Sequence, residues 1–366
     1  MSLLGTALTR GRQQALQRPD LVPQVRQAVQ DRLRTLARPL ARPDVQDLLQ
    51  AQKAFLLSND PQGFDESLGI AQGYGLEHDD LLTYLHGNIV ADLDAMPPPP
   101  TAQADGCTAW AQALGNSGES AGARVAKNRD YRGEHGRLQL VFLHHDPAWG
   151  ARSLLCLGSL GSPGAFSSGM NTDGLAVVDT QISTRDHGPG WLRYFLMTAL
   201  LRECRDVPEA LELIQAVRHA GGGSLVLGDR QGRVAAVELG HHHPPAVTRS
   251  DRWVAHTNHY LDAAHTPGFL SRADDLDHSS PGRLKHVESA LDAQAQALTL
   301  AQAQALMALH DPQGGSVCRH AHAGQAGTLS CAVYDTAQLQ LQVSHGPPCE
   351  GRWSTYGLSQ ANGQPP

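Results

Sequence analysis

The chain has 366 residues, 41% of them hydrophobic and 5% aromatic, with 29 basic and 36 acidic side chains for a net charge of −7. That length predicts one large domain or two smaller ones, and the apolar fraction excludes global disorder. No window approaches the ~20 apolar residues of a membrane span, and mild acidity gives no electrostatic footing for nucleic acid. The N-terminal stretch MSLLGTALTR turns polar too soon for a secretory signal, so a cytoplasmic protein is expected. The six cysteines (Cys107, Cys156, Cys204, Cys318, Cys331 and Cys349) contain no CxxC pair and are sparse for a disulfide scaffold. Reduced thiols are expected.

Residues 1–50 hold eight Arg against four acids, whereas residues 51–106 hold one base against nine acids. The Arg run is read as a solvated helix face. Val22, Val25, Val29, Leu33, Leu36 and Leu40 recur at spacings of three and four, one face of a helix. Further helices are expected over Val45–Leu57, from Asp65, and from Asp79-Asp80 through Leu82, Leu85 and Val90. Pro97–Pro100 cannot continue a helix and predicts a stiff linker over about residues 96–106. Short apolar runs follow: TAWAQAL, ARVAKNRDY, LQLVFLHH, SLLCLGSL and GLAVVDTQI read as strands. Helices are expected over Trp191–Arg205 and Pro208–Val217. SLVLGDRQGRVAAVEL reads as a hairpin turning at Asp229–Gly232, and WVAHTNHY as a strand. Helices near Leu284–Ala297 and Leu300–His310 precede a last hairpin in TLSCAVYDTAQLQLQVSHG. This alternation predicts an α/β sandwich with antiparallel sheets.

Cys107 sits where the composition changes, in Asp105-Gly106-Cys107-Thr108. Gly106 leaves the preceding carbonyl unshielded, as a nucleophile's neighbour should. The tripeptide alone equally suits a small buried core cysteine. The wider context resembles N-terminal-nucleophile hydrolases of the choloylglycine-hydrolase type, most closely the acyl-coenzyme A:6-aminopenicillanate acyltransferase family. The residues that carry the resemblance are GCTAWAQALGNSGESAGARVAKNRDY, Asn128-Arg129-Asp130, Gly169-Met170-Asn171-Thr172-Asp173-Gly174-Leu175, His256-Thr257-Asn258-His259-Tyr260, and Ser279-Ser280-Pro281-Gly282-Arg283. Ile70-Ala71-Gln72-Gly73-Tyr74-Gly75-Leu76 resembles the helices before the cut. The likeness covers about residues 55–366.

That resemblance implies an αββα four-layer sandwich with two antiparallel sheets, preceded by a helical prosegment. It also implies self-cleavage between Gly106 and Cys107, giving a prosegment or small subunit of residues 1–106 and a catalytic part of residues 107–366. The chemistry agrees. Cleavage frees an α-amine of ordinary pKa ~7.7–8.0 on the nucleophile's own residue, a base for its thiol near neutral pH.

Asp130 is implied to hold that ammonium, and Arg283 to lie beside the nucleophile and support Asp130. Asn258 is the candidate oxyanion donor. Lys127 departs from the Arg usual in bile-salt hydrolases, which puts a bidentate grip on substrate in doubt. Asn171 reads equally as a polar wall of the pocket or as a turn residue with positive φ. Few aromatics predict a pocket for a short or medium acyl chain; Phe142, Trp149, Phe166, Trp191, Tyr194 and Phe195 are the aromatic candidates. Lys127 and Arg283 are candidates to bind an acid group on the substrate.

The expected function is an autoproteolytically activated cysteine amidohydrolase acting on a linear amide of a small N-acyl compound. The alternative is acyl transfer from a thioester such as acyl-coenzyme A to an amine. No cofactor, metal, nucleic acid or membrane partner is expected. The two subunits are expected to stay associated; homo-oligomerisation stays open. The 19 His, in His144-His145, His241-His242-His243, His256/His259 and Cys318-Arg319-His320-Ala321-His322, suggest zinc as a minor alternative. A non-enzymatic binding protein on the same fold is the other.

Overall fold

The computed structural model describes residues 1–94, 104–115, 121–132, 138–271, 275–321 and 326–358. The Pro97–Pro100 run and His322 lie outside the described residues.

The first part is helical, as its periodicity predicts. A short strand β1 (Ser2–Leu4) leads into α1 (Ala7–Gln17), α2 (Val22–Thr35), α3 (Ala37–Leu40), α4 (Pro43–Asn59), α5 (Pro61–Tyr74), α6 (His78–Leu85) and α7 (Gly87–Asp92). The third expected helix starts at Pro61 rather than Asp65. Asp60 is its cap, accepting from Gly63 N–H at 3.1 Å, and proline fits the first turn. Gly11 on α1 and Gly69 on α5 let these helices touch backbone to backbone. A Cβ on Gly11 would come within 2.2 Å of the Glu66 carbonyl, and one on Gly69 within 2.2 Å of the Leu8 carbonyl.

The rest folds around two sheets. Strands β2 (Ala104–Gly115), β3 (Gly122–Arg132), β4 (Gln139–His145), β5 (Ser153–Ser159), β6 (Ser168–Asn171) and β7 (Ala176–Thr180) precede α8 (Arg193–Glu203) and α9 (Val207–Ala216). Then come β8 (Ser224–Gly228), β9 (Val234–Glu238), β10 (Ala246–Ser250), β11 (Trp253–His256), α10 (Asp275–Asp292), α11 (Leu300–Met307), β12 (Gly327–Asp335), β13 (Gln340–Ser344) and β14 (Trp353–Gly357). One sheet has the order β1-β4-β5-β6-β7-β8-β9-β10 and the other β11-β2-β3-β12-β13-β14. All neighbours are antiparallel, as expected, except that the short edge strand β1 runs parallel to β4.

Layering follows from which residues each face buries. Ala109, Ala111, Ala123 and Val125 of one sheet pack against Leu155, Leu157, Met170, Val178 and Val226 of the other. Trp110 and Ala126, on the opposite face, pack under Leu284, Val287, Ala303 and Met307 of α10 and α11. The outer face of the eight-stranded sheet is covered by α8 and α9, and by the N-terminal helices through Val25, Ile70, Leu85 and Ile89. This is the expected αββα arrangement.

Residues 1–94 are built into that packing rather than appended to it. Buried Arg10 pairs with Glu66 at 3.2 Å and with Asp146 at 2.6 Å. Gln14 donates to the Ser162 carbonyl at 3.0 Å, Asp92 accepts from Thr184 N–H at 3.1 Å, and Asn88 donates to Gln181 Oε1 at 3.1 Å.

Two buried histidines in this region give the fold a pH dependence. Burial pushes the pKa of His86 and of His144 down to about 4, for His144 against the pull of Glu66. The unfolded value is about 6.5, so between about pH 6.5 and 4 the unfolded chain binds protons that the folded chain refuses. Stability should fall as pH falls through that window, by at most about 1.4 kcal/mol per pH unit for each histidine. Denaturant midpoints measured across it check this; a flat profile contradicts it.

Candidate active site

On β2, Gly106 pairs with Asp130 and Cys107 with Arg129 of β3. Side chains alternate along strands, so Cys107, Ala109, Lys127 and Arg129 share one face, and Thr108, Trp110, Asn128 and Asp130 the other. The thiol therefore points between the sheets, and Cys107 is only 3% exposed.

Two remote residues converge on the Cys107 backbone. β11 pairs with β2 so that His256 faces Ala109; two residues further on, Asn258 arrives opposite Cys107. Its Oδ1 accepts from Cys107 N–H at 3.0 Å and from Arg283 Nη2 at 2.7 Å. Both partners are donors, which fixes the amide with its oxygen toward Cys107. The Nδ2 donates instead to the Gln181 carbonyl at 2.8 Å. Ser280 on α10 anchors this segment, its Oγ accepting from Asn258 N–H at 2.8 Å. One turn of α10 carries the next contact. Arg283, fully buried, donates from Nη1 to the Cys107 carbonyl at 2.6 Å and to Thr108 Oγ1 at 2.9 Å, and from Nε to Ser279 Oγ at 3.1 Å.

The thiol's face also holds a buried charge cluster. Asp179 on β7 receives Lys127 Nζ on one oxygen and Arg193 Nε, at 2.9 Å, on the other. Arg193 Nη2 donates to Gln181 Oε1 at 2.6 Å. Burial would raise the Asp179 carboxyl, but the two cations hold it below the usual range. Burial would likewise depress Arg193, yet Tyr194, Asp179 and Cys107 outweigh it and keep the guanidinium charged. With Arg129, these groups number three cations to one carboxylate, the electropositive setting in which reactive cysteines are found.

A family model described as acyl-coenzyme A:6-aminopenicillanic acid acyl-transferase matches residues 117–349. The chain belongs to this acyl-transferase family. The match begins ten residues after Cys107 and so does not include it. Among curated sequences no relative matches. Solved structures similar to this chain include a mutant conjugated bile acid hydrolase from Clostridium perfringens, at 10% identity and a TM-score of 0.45, covering 70% of this chain and 93% of that one. Another is penicillin V acylase from Agrobacterium tumefaciens, at 12% identity and a TM-score of 0.40, covering 65% and 83%.

In this acyl-transferase family member Asp130 lies on the strand next to Cys107, and Arg283 beside Cys107. Asp130 faces away from the thiol, across from Gly106. One of its oxygens accepts from Thr328 Oγ1 at 2.6 Å; the other, Oδ2, is buried without a partner among the described residues. Arg283 contacts Cys107 and Asn258 rather than supporting Asp130. Lys127 is buried in its ion pair with Asp179 and also donates to the Ser167 carbonyl at 3.0 Å. Its ammonium is thus engaged by protein acceptors on the thiol's face. Arg283 is likewise committed to protein acceptors, so neither candidate cation is left for a substrate acid group.

Asn171 is engaged by the fold as well. Its Nδ2 donates to the carbonyls of Leu201 and Cys204 at the end of α8, at 2.9 and 2.8 Å. Its Oδ1 accepts from Asp173 N–H and Leu175 N–H at 3.1 and 3.0 Å. It is a fully buried brace between the β6–β7 turn and α8, and its φ is not positive. Asn171→Ala strands these backbone groups and should cost at least about 2 kcal/mol of stability, leaving KM unchanged. Denaturation and steady-state kinetics on the same variant check both halves.

Of the aromatic candidates, Phe166 and Tyr194 lie near the thiol's face, with ring centroids 4.2 Å apart and the Arg129 guanidinium 5.6 Å from the Phe166 ring. Phe142 and Phe195 are core, and Trp149 stacks on Arg10 of α1. Asp179, Arg193 and Gln181 were not singled out from the sequence. The available signal was a carboxylate in the apolar run AVVDT, which a buried strand tolerates only when paired.

Most of the histidines have ordinary partners. His242 and His243 bind Asp186 at 2.6 and 3.3 Å; His256 binds Glu238 at 2.7 Å, and His259 binds Ser280 at 2.8 Å. The Cys318–His320 run differs, converging with His310 and Cys349. No helix among the described residues is long and apolar enough to cross a membrane.

Proposed function

We propose that this chain is an N-terminal-nucleophile enzyme that cuts itself between Gly106 and Cys107 and then transfers acyl groups through a Cys107 thioester. One observation carries the reading: Asn258 Oδ1 and Arg283 Nη1 bracket the nitrogen and the carbonyl of a single buried cysteine. Those are the backbone groups that change and stay when the Gly106–Cys107 bond breaks. In the first turnover the thiol attacks the Gly106 carbonyl. The peptide bond becomes a thioester, the Cys107 amine is freed, and water releases the Gly106 carboxylate and the thiol. The new ammonium emerges one register step from Asp130, whose unpartnered Oδ2 supplies the countercharge.

In later turnovers a substrate carbonyl takes the place of Gly106, which is buried in the uncut strand. The acyl group moves to Cys107 and the amine leaves. Water then completes hydrolysis of a small linear N-acyl compound. Transfer to an amine acceptor is the second reading, favoured by the family to which the chain belongs. The scaffold is proposed to survive the cut as two associated chains, since Arg10–Asp146, Gln14–Ser162 and Asn88–Gln181 hold them together.

Intact mass of the purified protein tests the cut. The 106/366 and 260/366 shares of 39.2 kDa predict fragments of about 11 and 28 kDa. They should co-elute in size exclusion and separate only on denaturation. A panel of N-acyl amino acids, penicillins, bile-salt conjugates, and acyl-coenzyme A with amine acceptors separates hydrolysis from transfer. Uncut, fully active protein would sink the proposal.

A further inference from the structure

We propose that His310, Cys318, His320 and Cys349 bind one zinc ion in a closed, structural site on the helical side of the six-stranded sheet. One ligand atom from each lies within 4.8 Å of all the others. The Cys318 and Cys349 sulfurs are 3.6 Å apart, and Cys349 Sγ is 3.2 Å from His320 Nε2. Zinc bonds of about 2.3 Å to sulfur and about 2.0 Å to nitrogen place tetrahedral ligands about 3.3–3.8 Å apart. The two imidazoles stack with centroids 5.0 Å apart.

The donor set selects the metal. Two thiolates with two imidazoles suit zinc, whereas calcium and magnesium take oxygen ligands. The nearby Asp311 carboxylate is turned away, accepting from His286 at 2.8 Å. A sulfur separation of 3.6 Å is far from the ~2.05 Å of a disulfide. Binding exchanges the two thiol protons for the ion, with no change of oxidation state. All four positions are filled by protein, so no site is left for water or substrate and the ion's role is structural. A groove of about 1010 Å³, lined by His310, Cys318 and His320 among others, provides access.

The ligands come from three separate segments: the chain just past α11, the run before β12, and the turn at Pro348–Glu350 between β13 and β14. Their junction backs the active site. Arg319, between two ligands, donates its N–H to Thr328 Oγ1 at 2.9 Å, and Thr328 in turn donates to Asp130. The Arg319 guanidinium reaches Ser279, which also accepts from Arg283. The ion would therefore hold in place the residues that position Asp130 and Arg283 without touching substrate.

The test is metal content, which does not depend on catalysis. Protein prepared under reductant is stripped with chelator, then titrated with zinc and, separately, cobalt. One ion per chain by native mass spectrometry, and a tetrahedral cobalt spectrum with a thiolate charge-transfer band, are expected. Cys107→Ala should bind as the wild type does, which separates this site from the nucleophile. Cys349→Ser and His320→Ala change exposed side chains and should fold. Removing outer partners of a metal ligand already costs about 10–100-fold in affinity, so losing a ligand should cost more than about 100-fold. No stoichiometric zinc in reduced wild-type protein, a Cys318–Cys349 disulfide persisting under reductant, or unchanged affinity in both variants overturns the proposal.

Discussion

Cys107→Ala should purify as a single 39.2-kDa chain with activity reduced by more than about 10⁴-fold. The substitution removes the only atom that attacks, both in self-cleavage and in turnover, so the two losses must appear together. The fold should tolerate it, since a buried cysteine behaves as a small hydrophobe and alanine is close to it in size. Cys107→Ser separates the steps. Its hydroxyl can make the same acyl shift but is a poorer nucleophile, so slow or absent cleavage with little turnover is expected. Mass spectrometry over days of incubation reads the first effect and product release the second. Normal cleavage of Cys107→Ala would falsify the assignment of the nucleophile.

On the proposed reading the precursor is inert for two reasons. In the uncut chain β2 runs unbroken through Ala104, Asp105 and Gly106, pairing with Arg132, Tyr131 and Asp130. On the proposed reading those three residues fill the space a substrate must enter, and the nitrogen that should act as base is an amide. Cleavage changes both at once.

Much of this was legible in the sequence, for reasons of period and length. β2 and β3 each exceed ten residues and alternate, so their pairing and the placement of Cys107 and Asp130 on neighbouring strands followed. The helical start was legible because Val25, Val29 and Leu36 keep a helical interval and are buried in the structure. The strands β1, β6, β10 and β14 are not legible because they are three to five residues long and, unlike β8 and β9, are not apolar runs either side of a turn. α10 was placed too late. Pro281 reads as a helix start, yet the helix begins at Asp275 and carries that proline inside. The roles of Lys127 and Asn171 were out of reach for another reason. Lys127 faces a carboxylate 52 residues away on the other sheet, and Asn171 binds carbonyls 30 and 33 residues on. A residue type tells which bonds it can make, not which partner the fold brings. The same holds for His310, Cys318, His320 and Cys349, whose spacing of 8, 2 and 29 residues matches no short metal motif.

Asn258→Ala should lower self-cleavage and turnover by about 10²–10³-fold each. The sequence makes this side chain the candidate oxyanion donor, but in the uncut chain its donor is bound to the Gln181 carbonyl and its oxygen faces the Cys107 nitrogen. Its expected work is therefore to orient that nitrogen, first as the leaving amide and then as the amine that takes the thiol proton. Alanine also leaves Arg283 Nη2 and Cys107 N–H without this acceptor inside the protein, at a cost on the order of 1–3 kcal/mol of stability. Asn258→Asp keeps the acceptor, adds a charge next to Arg283, and should fold better than the alanine variant. The pH profile of turnover distinguishes the two roles. If Asn258 orients the amine, the apparent pKa on the acidic limb should move in Asn258→Asp, because a carboxylate favours the ammonium. If Asn258 serves only the oxyanion, kcat should fall in both variants while that limb stays where it is.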